Sequence, residues 1–421
     1  MVPAGLGRAA AAQRLVIGAV RTARAGMLGA SRPPHRTTPN QEPDALVSST
    51  PTPPPAPSPL RTVQVLGRGS AGSAAHVHAL SAGLVARGVR VTVCAAPDAE
   101  DTYGFTDVGA GFERIPPRTD PGSIAALRTA CADADLVHAH GLHAGLRASL
   151  ALRGRRVPLV VTWHTKVHSE GARAQVTRLL ERRVARASAV VLGSCAELVR
   201  RARERGARDA RLAPPAGPRP RGEEEYAREL GRREKRRAEL GAVGRPLLLA
   251  VGRLDAHQGH DVLLDAAHGW CGLDPQPLLV IAGEGPLRTA LQQRIDAEEL
   301  PVRLLGRRED VPGLLAAADL VLVAGRWEAR SVLAQEALRG GVPLVATDTG
   351  GTRELVGRAA ELVPYGDAPA LARTVVELLD DPARRAALAD AGRAQAVGWP
   401  TEDDTVAQVL SVYDELAQAQ D

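Results

Sequence analysis

Aromatic side chains are scarce in this chain, with 4 Trp, 4 Tyr and 2 Phe making up 2% of its residues. Val, Leu and Ala must therefore fill its cores. The scarcity also argues against a nucleic-acid surface, because no basic stripe comes with interleaved aromatic residues. Cysteine is equally thin. Cys94, Cys131, Cys195 and Cys271 lie far apart and never in CxxC spacing. Neither a zinc site nor a disulfide framework is indicated, which fits a reducing cytoplasm. No apolar run approaches the length of a membrane span. Lysine is nearly missing: Lys166 and Lys235 stand alone and arginine supplies the positive charge. The net charge of +5 and pI near 9.4 are a modest excess. It suits anionic small molecules or an anionic membrane surface.

What is present is ordinary globular material, 44% apolar over 421 residues, enough for two domains with a core each. Residues 1–60 stand apart as a tail. The first thirty carry Arg8, Arg14, Arg21 and Arg24 and no acidic residue, and the rest is rich in Pro, Ser and Thr (TPTPPPAPSPL). Such a stretch cannot build a core and reads as a disordered linker. Three readings of its basic start stay open: an unstructured tail, an amphipathic helix on a membrane, or upstream sequence from a misplaced start.

From Arg61 the pattern becomes strand, turn, helix, repeated. Thr62 to Leu66 predicts a strand, Gly67 to Ser73 a glycine-rich turn, Ala74 to Arg87 a helix, and Val89 to Cys94 a second strand. A glycine-rich turn there lets backbone approach a ligand closely, which makes Gly72 a candidate. Further strands are expected at Leu136 to Ala139, Pro158 to Thr162 and Ala189 to Leu192. His138 and His140 share a face at the end of the first of these, and His164 ends the next. Two strand ends presenting histidines to one edge predict a pocket. The basic helix over Val176 to Ala187 reads as a solvated face, with membrane docking as the sharper alternative. Ala213 to Arg221 (APPAGPRPR) reads as a hinge, followed by a charged helix over Glu223 to Leu240. The expected domains are therefore 61–215 and 246–400, joined by 216–245 and closed by a terminal helix in 401–421.

The second half contains the most informative segment, DLVLVAGRWEARSVLAQEALRGGVPLVATDTGGTRE, from Asp319 to Glu354. Two short apolar runs flank a helix-length stretch closed by Gly340-Gly341, a strand–helix–strand pattern. Glu328 falls in the loop before the helix, and Glu336 lies about 7.5 Å beyond Ser331 at the usual helical rise. N–H groups around Ser331 and Val332 form a site for an anion such as phosphate. One carboxylate is then left for hydroxyls on each side of that phosphate, the layout of a nucleotide-sugar. The bland alternative is a solvated loop charge and an exposed helix residue.

Glu-x7-Glu, followed by Ala337-Leu338, Gly341-Val342-Pro343 and ATDTGG-x-x-E, resembles the donor site of family-4 retaining glycosyltransferases. The likeness extends from about Arg61 to Asp421. It implies the GT-B fold: two Rossmann-like domains facing across a cleft, with a C-terminal helix returning to the first. By the resemblance, Glu328 and His140 meet the transferred sugar and Glu336 the ribose, and His138 and His164 lie on the acceptor side. Arg253, at the end of a strand over Pro246 to Val251, meets the diphosphate together with backbone at Ser331, Val332 and Gly350. Gly283 and Gly306, after strands over Leu278 to Ala282 and Val302 to Leu305, match further family segments, the second beside the base. No cofactor or metal is implied; a nucleoside-diphosphate sugar serves as co-substrate. The partner is an unspecified glycan, lipid or small-molecule acceptor, and the setting is cytoplasmic with membrane contact left open. Two positions depart from the pattern. Gln258 stands where the family usually has lysine, and Ala329-Arg330-Ser331 stands where many members have Gly-Phe-Gly. Those departures feed a rival reading, a catalytically silent GT-B protein acting as sensor or scaffold. A sugar-nucleotide epimerase fits the paired glutamates less well.

Overall fold

The computed structural model describes residues 59–67, 71–167, 170–218 and 222–419. The readings of the tail over 1–58, of Gly69 and Ser70, and of the end of the hinge lie outside the described residues.

Two parallel sheets organise the chain. The first contains β1 (Arg61–Leu66), β2 (Arg90–Ala95), β3 (Gly111–Arg114), β4 (Leu136–His140), β5 (Leu159–Trp163), β6 (Val190–Gly193) and β7 (Ala210–Leu212), in the order β3-β2-β1-β4-β5-β6-β7. The second contains β8 (Leu247–Val251), β9 (Leu278–Ala282), β10 (Val302–Gly306), β11 (Leu320–Val323), β12 (Leu344–Thr347) and β13 (Glu361–Val363), in the order β10-β9-β8-β11-β12-β13. β4, β5 and β9 are buried at every position. That is what continuous apolar runs with helices on both faces produce. In each sheet the chain winds outward, then restarts on the other side of its first strand. The crevices so created lie between the ends of β1 and β4, and of β8 and β11.

Strand boundaries fall within a residue or so of the sequence reading. Two helices differ. The first helix begins at Ala71, so Gly72 is an exposed residue of its opening turn and not part of a loop. The charged stretch is two helices, Glu223–Gly231 and Arg233–Leu240, broken at Arg232 (φ −101°, ψ 1°) after a glycine, the weakest ordinary helix former. The second is tied to the C-terminal sheet, because Arg233 and Arg237 both bind Asp319 just before β11, at 2.7 and 3.0 Å.

The helix Glu402–Gln418 starts from a capping box between Thr401 and Asp404. Val406, Val409, Val412 and Tyr413 form its buried face, in one cluster with Val77, Leu80 and Leu84 of the first helix. Thus the last helix in sequence completes the first domain. Its Tyr413 hydroxyl accepts a hydrogen bond from Gln64 Nε2 of β1 (3.0 Å). Among the described residues no helix is long and apolar enough to cross a membrane.

Candidate active site

The crevice at the β8–β11 switch point holds the second domain's site. Gln258, Gly325, Glu328 and Ser331 line one narrow pocket there, with His260 and Val323. Glu328 reaches it from the loop after β11, and its Oε1 accepts from Gln258 Nε2 at 3.4 Å. Burial pushes the Glu328 carboxyl above its usual range; the Gln258 bond opposes this and the Asp255 charge adds to it. A lysine at 258 would reverse that balance, whereas an amide cannot. Ser331 caps the helix Val332–Arg339, its Oγ accepting from Ala334 N (3.4 Å). N–H groups of the first turn are left over by helix geometry, a chemistry that can receive an anion. Val332, the first residue of that helix, is 53% exposed. Glu336 is half-buried further along the same helix and acts electrostatically on Arg339.

The neighbouring strand ends form a shelf. Gly283 N donates to Gly306 O (2.8 Å), and Gly252 N to Ala282 O (3.0 Å). A Cβ on Gly283 would lie 1.8 Å from Gly252 O, so only glycine lets these loops stack. Gly283 and Gly306 are therefore one and two strands away from the pocket, not in its lining. Arg253, at the end of β8, is 72% exposed and only loosely paired with Asp255 (3.6 Å). Its guanidinium is free to meet an anion over this shelf.

The loop that carries Glu328 also joins the domains. Trp327 Nε1 donates to Glu197 Oε2 (2.8 Å), whose other oxygen holds Lys166 (3.2 Å). Arg326 pairs with Glu170 (3.2 Å), and Glu354 accepts from Ala196 N (2.8 Å) at the start of a first-domain helix. Ala329 is buried among first-domain side chains that include Cys195. The expected cleft is thus bridged at this edge. Sequence reasoning missed Glu197, Trp327 and Glu354 as a clamp. The closing glutamate of ATDTGG-x-x-E was the available signal, but not its partner.

Across from that loop, His140 ends β4 and His164 follows β5, their Nδ1 and Nε2 atoms 3.3 Å apart. His76 of the first helix joins them, its ring 5.3 Å from that of His164. Burial lowers all three, His76 to about 4, so the rings are neutral at pH 7. His138 is corrected. It is fully buried, bound to the Tyr413 hydroxyl (2.7 Å) and Thr162 Oγ1 (2.6 Å), and no acceptor can reach it. Period two put it on the right face, but Gln408-to-Leu416 helix turns above β4 cover that end of the face.

Residues 231–395 match the family described as glycosyl transferases group 1, and residues 71–216 the glycosyl transferase 4-like domain. The D-inositol 3-phosphate glycosyltransferase of Salinispora arenicola is 32% identical over 322 residues, 68% of this chain and 69% of that protein. The alpha-D-kanosaminyltransferase of Streptomyces kanamyceticus is 34% identical over 167 residues, 37% of this chain and 43% of that one. The chain thus spans under half the length of that relative. Among solved structures, Anabaena HepE in complex with UDP has a TM-score of 0.72 at 20% identity, covering 85% of this chain and 100% of that one. An identity that low speaks for the fold alone, and the fold is GT-B. With two parallel-sheet Rossmann-like domains and both family matches in register with them, the chain belongs to the group 1, family-4-type glycosyltransferases.

Proposed function

We propose that this protein transfers a hexosyl-type sugar from a nucleoside-diphosphate sugar to a hydroxyl acceptor with retention of configuration. The observation that carries the reading is the meeting of Glu328, Gln258 and the Ser331 helix end in one pocket at a topological switch point. In this reading Glu328 holds the sugar from one side and His140 from the other. Backbone of Ser331, Val332 and Gly350 takes the diphosphate with Arg253, so no metal ion is needed on those phosphates. Glu336 takes the ribose. Front-face attack, with the leaving phosphate accepting the acceptor's proton, needs no glycosidase-type carboxylate pair. His164 would face the acceptor. The Salinispora relative's name makes a cyclitol phosphate the first acceptor to try. Peripheral contact with an anionic membrane would use the helix Gly171–Ala187, where Val176 and Leu179 are exposed beside Arg178 and Arg182.

A thermal-shift panel of UDP-, GDP-, ADP- and dTDP-sugars tests the donor site. One nucleotide class should raise the Tm, because ligand binds only the native state. Glu336→Ala should raise the KM for that donor about tenfold with kcat kept, as expected when uniform binding is lost. An unchanged KM removes the ribose assignment. The silent-scaffold reading rests on Gln258 and the Ala329-Arg330-Ser331 loop, and Gln258→Lys separates it from the enzyme. A cation beside the leaving diphosphate should raise kcat about tenfold and move the acid limb of the pH profile down, since it lowers the Glu328 pKa. Turnover absent in both proteins, across every donor that shifts the Tm, favours the scaffold.

A further inference from the structure

One ring of the histidine group, His76, has no part in the glycosyl-transfer reading, yet it completes a different constellation. One ring nitrogen from each of His76, His140 and His164 lies within 4.8 Å of the others. The 3.3 Å between His140 Nδ1 and His164 Nε2 is the more telling distance. Two imidazole nitrogens on one tetrahedral ion, at the usual zinc–nitrogen length, are about 3.3 Å apart. The same separation is also within hydrogen-bond reach, so the third ring, His76, is what a simple pair of bonded histidines leaves unexplained.

The surroundings settle which nitrogen of His140 is available. Gln64 Nε2 donates to the Tyr413 hydroxyl (3.0 Å), which fixes Gln64 Oε1 as the atom facing His140 Nε2 (3.0 Å). An amide oxygen only accepts, so His140 carries its proton on Nε2 and turns the lone pair of Nδ1 toward His164. The Tyr413 hydroxyl in turn donates to His138 Nδ1 (2.7 Å), and His138 donates from Nε2 to Thr162 Oγ1 (2.6 Å). Every group in this chain therefore has one consistent role. Outer-shell donors and acceptors of this kind orient metal-binding imidazoles. Here the terminal helix supplies the anchor, and buried His138 gains a purpose as part of it.

We propose that His76, His140 and His164 form a site for a zinc-class divalent ion on the first-domain wall of the cleft. Three imidazoles with no carboxylate among them select zinc, cobalt, nickel or copper over magnesium or calcium. Three protein ligands leave a tetrahedral ion one position. His76 and His164 are only half-buried, so the cluster is within reach of solvent and that position takes an oxygen donor, such as a hydroxyl or phosphate of the acceptor. The ion is separate from the donor diphosphate. With Nε2 on Gln64 and Nδ1 on the ion, His140 has no nitrogen left for the sugar. In the occupied site the ion's open position therefore replaces the direct His140 and His164 contacts of the glycosyl-transfer reading. Ion binding is read out whether or not transfer is found.

The test uses the untagged full chain, stripped with a chelator and titrated with Co2+. One equivalent should bind with the visible absorption of tetrahedral cobalt, and Zn2+ should abolish the band while Mg2+ leaves it. His76→Ala and His164→Ala should each remove the band, with far-UV circular dichroism confirming the fold. His268→Ala, on the other domain and paired with Glu298, should leave it intact. Gln64→Leu should weaken the ion about tenfold, the usual effect of losing an outer-shell partner. If His164→Ala does not fold, the half-exposed His76 still decides the matter. A chain with no saturable cobalt band, a band that survives in the His76 variant, or one that Mg2+ displaces equally would overturn the proposal.

Discussion

Glu328→Gln is expected to lower kcat/KM for sugar transfer by about 10² to 10³, the range seen when one preorganised polar group is removed from a transition state. The substitution keeps the shape and the hydrogen bond from Gln258, and removes only the charge. Its effect therefore separates a carboxylate needed for the sugar from one that merely fills the pocket. Donor binding by thermal shift should survive, because the phosphate and ribose contacts lie elsewhere in this reading. A variant that turns over like the parent would show that the loop glutamate is a spectator.

The same substitution should make the protein more stable at neutral pH. Burial raises the Glu328 pKa in the folded state, so the native protein binds a proton more tightly than the unfolded chain does. Between the ordinary carboxylate pKa and the raised one, stability falls as pH rises, and above both the fold bears the full penalty of a buried carboxylate. Glutamine removes that penalty. The gain in Tm should be present at pH 8, fade as pH falls through the raised Glu328 pKa, and be absent below the ordinary carboxylate range. Activity of the parent should lose its acid limb at a higher pH than an exposed glutamate would give. A site whose charge weakens the fold is the expected trade between function and stability.

Much of this site is legible because it is local. Glu328, Ser331 and Glu336 fall within nine residues, and the loop, cap and helix that arrange them are written in the same stretch. Strand ends were equally readable, since apolar runs bounded by Gly252, Gly283 and Gly306 mark where parallel strands stop. What sequence could not reveal depends on packing between distant segments. Trp327 and Glu197 are 130 positions apart, and nothing in either neighbourhood names the other. His138 and His140 alternate as expected, but Tyr413, 275 residues away from His138, caps the first, whereas the second turns toward His164. His76 carries no signal of its own in the sequence, one of two histidines on a helix rich in Ala. It became part of a cluster only when that helix was laid beside the ends of β4 and β5.

Gly350→Ala should lower kcat/KM by about 10²-fold although residue 350 contributes no side chain to the chemistry. Gly350 sits at φ +59°, and a Cβ there would lie 2.1 Å from the Glu328 carbonyl oxygen and 2.9 Å from the Trp327 ring. Backbone cannot yield at that distance without moving the loop, and Gly351 N also bonds to the Glu328 carbonyl (2.8 Å). The Glu328 carboxylate must therefore shift, and a displacement of about 1 Å in a positioned group costs a reaction on the order of 10²-fold. Left-handed backbone is itself unfavourable for alanine by roughly 1 to 2 kcal/mol, so a control is needed. Gly366→Ala supplies it, because Gly366 has φ +79° and nothing within 4 Å of a Cβ. Both variants should lose similar stability from the backbone term, but only the first should lose turnover and weaken the Trp327–Glu197 clamp, visible as a change in tryptophan fluorescence. If the two variants lose activity in equal measure, the turn after β12 matters for folding alone, and the tight seat of the Glu328 loop upon it is not what aims the carboxylate.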